Sequence, residues 1–285
     1  MKSDEVCVIV CVFGTEFTRL YSAPALHDSY CFTNNPALKS EAEKKGWIYT
    51  FIDVPLSDDS IESTFQVKYI KFLQFLKEER FASFYDYNKI LMIDHKLQVN
   101  SDHVCQLLDM NKNKIMLKCH HRKPSIKIWD EVERLMIWKD FYVFVPLILK
   151  YIYHKLSQGY HEYVCLPACC LILYDHKDAM VKKFTDEIYH ELMEWKIPRD
   201  QIIWAMLSQN YIDIIQFIDF KKDVPIIWAE HEIIECSKSK NKPIIWREPE
   251  KKIEVKKDNI SLRRFICYFV PWGLLLLWDS LKVKK

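Results

Sequence analysis

The chain alternates between short apolar runs and segments whose apolar residues recur every three or four positions. An apolar run that ends at Gly, Asn or Asp is typical of a buried strand, and the three-to-four spacing is typical of a helix that buries one face. Strands and helices in alternation predict an α/β fold, with a mixed, mostly parallel sheet flanked by helices. The predicted strands are residues 6–13, 29–33, 47–54, 89–94 and 115–120, and the helices between them are 39–45, 63–77 and 101–110.

The second half of the chain has a more mixed pattern. It predicts helices at residues 125–138 and 141–156 (with a break or kink at Pro146), a long strand within 163–175, and helices at 178–195 and from Pro198 onwards. Residues 237–259 are polar and lysine-rich, which predicts a solvated connector. We therefore divide the chain into a main domain (1–236), this connector and a carboxyl-terminal tail (260–285).

The tail differs in composition from the rest of the chain. Its apolar core, residues 266–278, is shorter than the roughly 20 residues needed to span a bilayer. Basic residues stand on both sides of this core, which favours a segment lying in a membrane interface. The alternative is a last helix packed on the protein core. We expect a cytoplasmic protein that attaches peripherally to a membrane surface through this tail.

The composition of the chain bears on whether the protein binds nucleic acid, contains a glycine-rich phosphate loop or forms disulfides. Of the 285 residues, 49% are hydrophobic and 28% are charged, which indicates a globular protein, and the net charge of +2 gives no signature of nucleic-acid binding. With only 4 glycines, the chain contains no glycine-rich phosphate-binding motif. The 10 cysteines lie mostly within apolar stretches, which predicts buried free thiols rather than a disulfide framework.

A glycine and four polar residues stand at the carboxyl ends of several predicted strands, namely Gly14, Thr33, Asn34, Asp94 and His120. In open α/β sheets ligands collect outside the carboxyl ends of the strands, so these residues predict a binding site at one edge of the sheet. Asp94 ends the apolar run KILMI, where a carboxylate suits a divalent cation on a diphosphate or the hydroxyls of a ribose. The alternative is that Asp94 is an ordinary turn residue.

Four motifs in order along the chain carry a family resemblance. They are YCFTN (30–34), FYDYNKILMIDHKLQV (84–99, preceded by a helix with Lys68 and Lys71), LKCHHRKPSIKIWDE (117–131) and KIPRDQIIWAML (196–207). Over about residues 5 to 215 the chain resembles the GT-A fold of nucleotide-diphospho-sugar transferases. More narrowly, it is similar to the glycosyltransferase-like family of plant cell-wall proteins and their bacterial and large-virus relatives. Each motif alone is weak, and their order makes the set more specific.

The resemblance implies a hexosyl-type transferase that takes a UDP- or GDP-sugar as donor and a glycan or a lipid-linked glycan as acceptor. Asp200 is then the catalytic acceptor-side carboxylate, as the base of an inverting enzyme or as the stabilising group of a retaining one, and the sequence leaves both open. Arg199 and Gln201 would bind the acceptor. The implied donor-binding residues are Phe13, Gly14, Thr33, Asn34, Lys68, Asp94, Lys96, His120, His121 and Arg122, and Asp94 would also hold Mn²⁺ or Mg²⁺.

One departure from the family pattern bears on the metal. Asp94-His95-Lys96 stands where the family has an Asp-x-Asp or Asp-Gly-Asn turn. Either Lys96 points aside and Asp94 holds the cation, or Lys96 replaces the cation as counter-charge to the diphosphate. A further alternative is that the donor site has decayed, leaving a catalytically inactive GT-A-like protein that binds glycans or acts as a scaffold.

Overall fold

A computed structural model describes residues 5–15, 19–119, 126–136, 139–218 and 227–228. Its strands are β1 (Val6–Cys11), β2 (Asp28–Thr33), β3 (Ile48–Phe51), β4 (Lys89–Asp94), β5 (Leu97–Gln98), β6 (Ile115–Cys119), β7 (Ile126–Lys127), β8 (Tyr163–Val164), β9 (Pro167–Tyr174), β10 (Ile215–Ile218) and β11 (Ile227–Trp228). Its α-helices are α1 (Lys39–Lys44), α2 (Ser60–Lys71), α3 (Ser101–Met110), α4 (Ile128–Leu135), α5 (Lys139–Tyr142), α6 (Val145–Ser157), α7 (Ala179–Trp195) and α8 (Asp200–Leu207). Short 3₁₀ helices cover Pro36–Leu38, Gln74–Lys77, Glu79–Asp86 and Ser208–Ile214.

Within the described part of the chain, seven strands form the main sheet, in the order β10-β6-β9-β4-β1-β2-β3. All neighbours are parallel except β9, which runs antiparallel to both β4 and β6. Two short antiparallel pairs, β5 with β11 and β7 with β8, lie outside this sheet. The predicted fold class, a mixed and mostly parallel sheet flanked by helices, is confirmed.

The sheet is buried on both faces, as expected for strands that read as continuous apolar runs. Every side chain of β9 is buried, as are the first five of β1. One face packs against the apolar residues of α2, α4, α6, α7 and α8, and the other against α1 and α3. Burial of this kind supplies most of the favourable free energy of folding.

Several predicted boundaries are wrong. The helix predicted at 63–77 ends at Lys71, because Leu73 adopts a left-handed backbone (φ 60°) that interrupts helical hydrogen bonding before Gln74–Lys77. The helix predicted at 141–156 is two helices, α5 and α6, and Pro146 lies in the first turn of α6, where a missing N–H costs nothing.

Residues 237–285 and the predicted membrane attachment are not tested by the structure. The connector and the carboxyl-terminal tail lie outside the described residues, so the domain division and the membrane attachment stay predictions. Within the part of the chain that the structure describes, no helix is long and apolar enough to cross a membrane.

Candidate functional site

The candidate site lies at the carboxyl edge of the parallel strands. The chain passes from β1 to β2 and β3 on one side and returns to β4 on the other, so the strand order reverses between β1 and β4. Cys11 and Asp94, the last residues of these two strands, are paired across this point. A reversal of this kind opens a crevice in which α/β proteins bind ligands.

Asp94 begins a tight turn at this edge. Its Oδ1 accepts a hydrogen bond from the backbone N–H of Lys96 at 3.0 Å and lies 3.3 Å from Nδ1 of His95. Burial lowers the pKa of His95, which favours its neutral form. The side chain of Lys96 is exposed, and the buried Leu97 behind it begins β5. The turn therefore directs one oxygen of Asp94 to its own backbone.

A buried ion cluster occupies the neighbouring part of the edge, and we call Lys68, Lys71 and Asp200 the lysine–aspartate cluster. The two lysines are three residues apart on α2 and so share one face of the helix. Their Nζ atoms lie 2.9 Å and 2.6 Å from the same atom, Oδ2 of Asp200. The Lys68 and Asp200 side chains are each 7% exposed and that of Lys71 is 16% exposed, so the cluster is largely shielded from water.

The charges of the cluster perturb one another. Burial would raise the pKa of Asp200, but the ammonium groups of Lys68 and Lys71 outweigh it and hold that pKa below its ordinary value. Burial lowers the pKa of Lys68. Burial acts in the same direction on Lys71, yet the carboxylate of Asp200 raises the pKa of Lys71 above its ordinary value, helped more weakly by Asp94.

These charges bear on the catalytic role predicted for Asp200. A general base needs a pKa close to the working pH, and a carboxylate held ionised by two ammonium groups is a weak proton acceptor. The base role stays a prediction, and the ion pairs argue against it. Asp200 does begin α8 after Pro198, as the sequence predicts.

The residues predicted at the ends of β1 and β2 form a hydrogen-bonded bracket. Asn34 accepts the N–H of Gly14 at 2.9 Å and donates to the carbonyl of Pro55 and to the side chain of Gln66. Thr33 is fully buried, and its hydroxyl accepts the N–H of Asn35, two residues later. These side chains fix the loop after β1.

Gly14 itself has little freedom in this bracket. Its φ of +90° suits glycine, and a Cβ would lie 2.5 Å from Oγ of Ser63 on α2. Phe13 is also buried. The backbone at Gly14 therefore packs so closely on the side chain of Ser63 that no Cβ fits between them.

Arg199 and Gln201, the predicted acceptor-binding residues, contact the protein itself. Arg199 donates from Nε and Nη2 to Oε1 of the buried Glu131, at 3.2 and 3.0 Å. Gln201 donates to the carbonyl of Pro167 at 2.7 Å, which ties α8 to the start of β9. Their roles in acceptor binding stay predictions, and the structure gives each of them a structural partner.

Three predicted residues, His120, His121 and Arg122, lie outside the described residues. Sequence reasoning omitted two residues that belong to the site. Lys71 was noted on its helix but not assigned a role, although its spacing from Lys68 was the available signal. Cys169 at the start of β9 lies close enough to Asp200 and Lys71 to feel their charges, and no pattern in the sequence indicates this.

The described residues fit a divalent cation poorly. Mg²⁺ and Mn²⁺ prefer oxygen ligands, and among the described side chains no group of three or more His, Cys, Asp or Glu could hold an ion. Asp200 is held by two lysines, and Asp94 interacts with the charge of Lys71. A cation placed at Asp94 would therefore be repelled by Lys71 as well as attracted by the carboxylate.

Comparison with known proteins gives distant likenesses. No protein-family model matches the chain, and no curated protein matches it. Among solved structures, mouse xyloside xylosyltransferase 1 is similar over 76% of this chain and 85% of its own, with 8% identity and a TM-score of 0.36. The mannosyltransferase Ktr4p from S. cerevisiae is similar over 75% of this chain and 68% of its own, with 11% identity and a TM-score of 0.36. The function proposed below rests on the side chains of the site.

Proposed function

We propose that this protein is a GT-A-like glycosyltransferase that moves a hexose from a UDP- or GDP-sugar to a glycan or a lipid-linked glycan. The observation that carries the proposal is the lysine–aspartate cluster, which places one buried and one largely buried cation beside the point where the strand order reverses. That is the place where an α/β sheet binds a ligand, and fixed cations there suit a ligand rich in phosphate.

The chemistry of sugar transfer explains why such cations would be useful. The acceptor oxygen forms a bond to the anomeric carbon, and the bond from that carbon to the phosphate oxygen breaks. The electron pair leaves with the nucleoside diphosphate, and the acceptor proton is released. Negative charge therefore grows on the diphosphate in the transition state, and preorganised cations that are excluded from water stabilise such charge.

The bracket formed by Asn34 has a supporting role in this proposal. By accepting the N–H of Gly14 and donating to Gln66 on α2, Asn34 ties the loop after β1 to this helix. We assign Phe13, Gly14, Thr33 and Asn34 to shaping the donor site through backbone and packing. Peripheral attachment to a membrane through residues 260–285 belongs to the same proposal, because a lipid-linked acceptor lies at a membrane surface.

A second candidate, a catalytically inactive protein that binds glycans or acts as a scaffold, is favoured by the surroundings of two carboxylates. The carboxylate of Asp200 is a weak base, and in the described part of the site the other carboxylate, Asp94, lies in a turn where it accepts a backbone hydrogen bond. Such a protein would bind a nucleotide or a glycan without turning over any donor.

The two candidates differ in donor turnover. The full chain should be incubated with a panel of UDP- and GDP-sugars, with and without Mn²⁺, and release of the nucleoside diphosphate followed. We expect release from at least one donor, and we expect Lys71→Met to abolish it. The matched control is Lys77→Met, which removes a lysine whose side chain is 59% exposed and paired with Asp186. Binding without release from any donor would favour the inactive protein.

A further inference from the structure

The lysine–aspartate cluster has more hydrogen-bond donors than acceptors. An ammonium group carries three N–H donors, and within the described residues Asp200 is the one hydrogen-bonding partner of both Lys68 and Lys71. Each ammonium therefore keeps about two donors without an acceptor among the described residues. Shielded polar groups are normally satisfied, so the donors left over on these two cations point to an anion that the described residues do not supply.

The charge count of the cluster leads to the same conclusion. Two ammonium groups face a single carboxylate, which leaves one positive charge in a largely buried place. Asp94 offsets part of this charge at longer range, through Lys71. Its own carboxylate, however, is 35% exposed, and its Oδ1 is used by the turn. An uncompensated buried charge is costly, and a bound anion would remove that cost.

We infer that Lys68 and Lys71, held in place by Asp200, bind the diphosphate of the donor without a divalent cation. This inference rests on the proposed function and names the group that neutralises the donor. It replaces both earlier hypotheses about the turn, because the exposed Lys96 is not the counter-charge and Asp94 does not hold a metal. Asp200 then acts as a positioning residue, which fixes two flexible lysine side chains so that little entropy is lost when the phosphate binds.

Lys71 on helix α2 and Lys96 in the turn differ in their exposure to water, and so in how strongly they can bind an anion. A charge-assisted hydrogen bond is stronger where water is excluded, so Lys71, whose side chain is 16% exposed, contributes more to anion binding than the exposed Lys96. Lys71→Met leaves one lysine paired with one aspartate, which is a balanced cluster that should still fold. Lys71→Arg keeps the charge and the donors.

The test is calorimetric titration of the full chain with UDP, GDP and inorganic pyrophosphate, in EDTA and again in Mn²⁺. We expect affinities in EDTA within about threefold of those in Mn²⁺, and loss of about tenfold or more in Lys71→Met, as expected for one charge-assisted hydrogen bond. Lys71→Arg should retain most of the affinity, and Lys96→Met and Lys77→Met should retain all of it. If Lys71→Met also loses pyrophosphate binding, Lys71 recognises the phosphate groups and not the nucleoside.

Three outcomes separate this inference from the proposed function. Nucleotide binding that requires Mn²⁺, or that is lost in Lys96→Met and kept in Lys71→Met, overturns the inference and leaves the transferase intact. Metal-free binding through Lys71 without turnover of any donor overturns the transferase and supports the inference. Absence of binding by any of the three ligands, in EDTA and in Mn²⁺, overturns both.

Discussion

Replacing Asp200 by asparagine should severely destabilise the protein. The substitution keeps the shape of the side chain and removes its charge, so two ammonium groups that lie 2.9 and 2.6 Å from Oδ2 lose their counter-ion. Because all three side chains are at most 16% exposed, water cannot replace the carboxylate. Removing one partner of a buried ion pair typically costs about 3–5 kcal/mol, and we expect a loss in this range.

The free energy of unfolding lost on Asp200→Asn should depend on how many lysines of the cluster are present. In a Lys68→Met background one ammonium instead of two is left without its partner, so Asp200→Asn should cost less there, by about 1 kcal/mol or more. The free energy of unfolding should be measured in urea for the wild type, both single variants and the double variant. A cost of Asp200→Asn below about 0.5 kcal/mol, as for an ordinary surface residue, or equal costs in both backgrounds, would refute the reasoning.

Five further substitutions test three other features of the structure by urea unfolding. Gly14→Ala should lower the free energy of unfolding by about 2–3 kcal/mol, and Gly159→Ala should lower it by about 1 kcal/mol. Both glycines have positive φ, but the added Cβ meets another atom at 2.5 Å at Gly14 and meets nothing at Gly159. Equal losses in the two variants would contradict this. Glu191→Ala removes the carboxylate of a buried ion pair and should cost about 3 kcal/mol, whereas Glu194→Ala on the exposed side of the same helix should change stability by less than about 0.5 kcal/mol. Burial lowers the pKa of His176 from 6.5 to about 4, so the unfolded state gains a proton first as the pH falls and stability should drop by about 2 kcal/mol between about pH 7.5 and pH 5. His176→Phe should abolish that drop, and an unchanged pH dependence would count against a buried neutral histidine.

The strands of the candidate site could be predicted because their signal is local. The apolar run that contains β1 ends at Gly14, and the apolar residues of β4 lie between Lys89 and Asp94, which indicates burial on both faces and an exit at the sheet edge. The position of Asp94 follows from this alone. Its pairing with Cys11 follows once the two strands are neighbours.

The rest of the site depends on contacts between distant parts of the chain. Asp200 meets Lys71 across 129 residues, and it does so because β9 enters the sheet antiparallel between β4 and β6 and brings α8 to the edge. Nothing in the run PACCLILY distinguishes an antiparallel strand from a parallel one. The short strand β10 was missed for a related reason, since four residues carry too little periodicity to identify.

Helix α2 shows how a local pattern can mislead. Apolar residues at helical spacing continue past Lys71, and the left-handed Leu73 that ends the helix has no sequence signal such as glycine. The early end places Lys71 in the last turn of the helix, where a cation interacts favourably with the carbonyl groups. The incorrect boundary hides this position of Lys71 at the end of the helix, although both lysines fall within the predicted helix.

The most direct test of the account is a crystal structure of the full chain with a nucleoside diphosphate, grown in EDTA. The account predicts the diphosphate at the carboxyl edge of the sheet between β1 and β4, with phosphate oxygens within hydrogen-bond distance of Nζ of Lys71 and Lys68 and with Asp200 still bound to both lysines. A diphosphate bound elsewhere on the chain, or one that enters this edge only when Mn²⁺ bridges it to Asp94, would contradict the account.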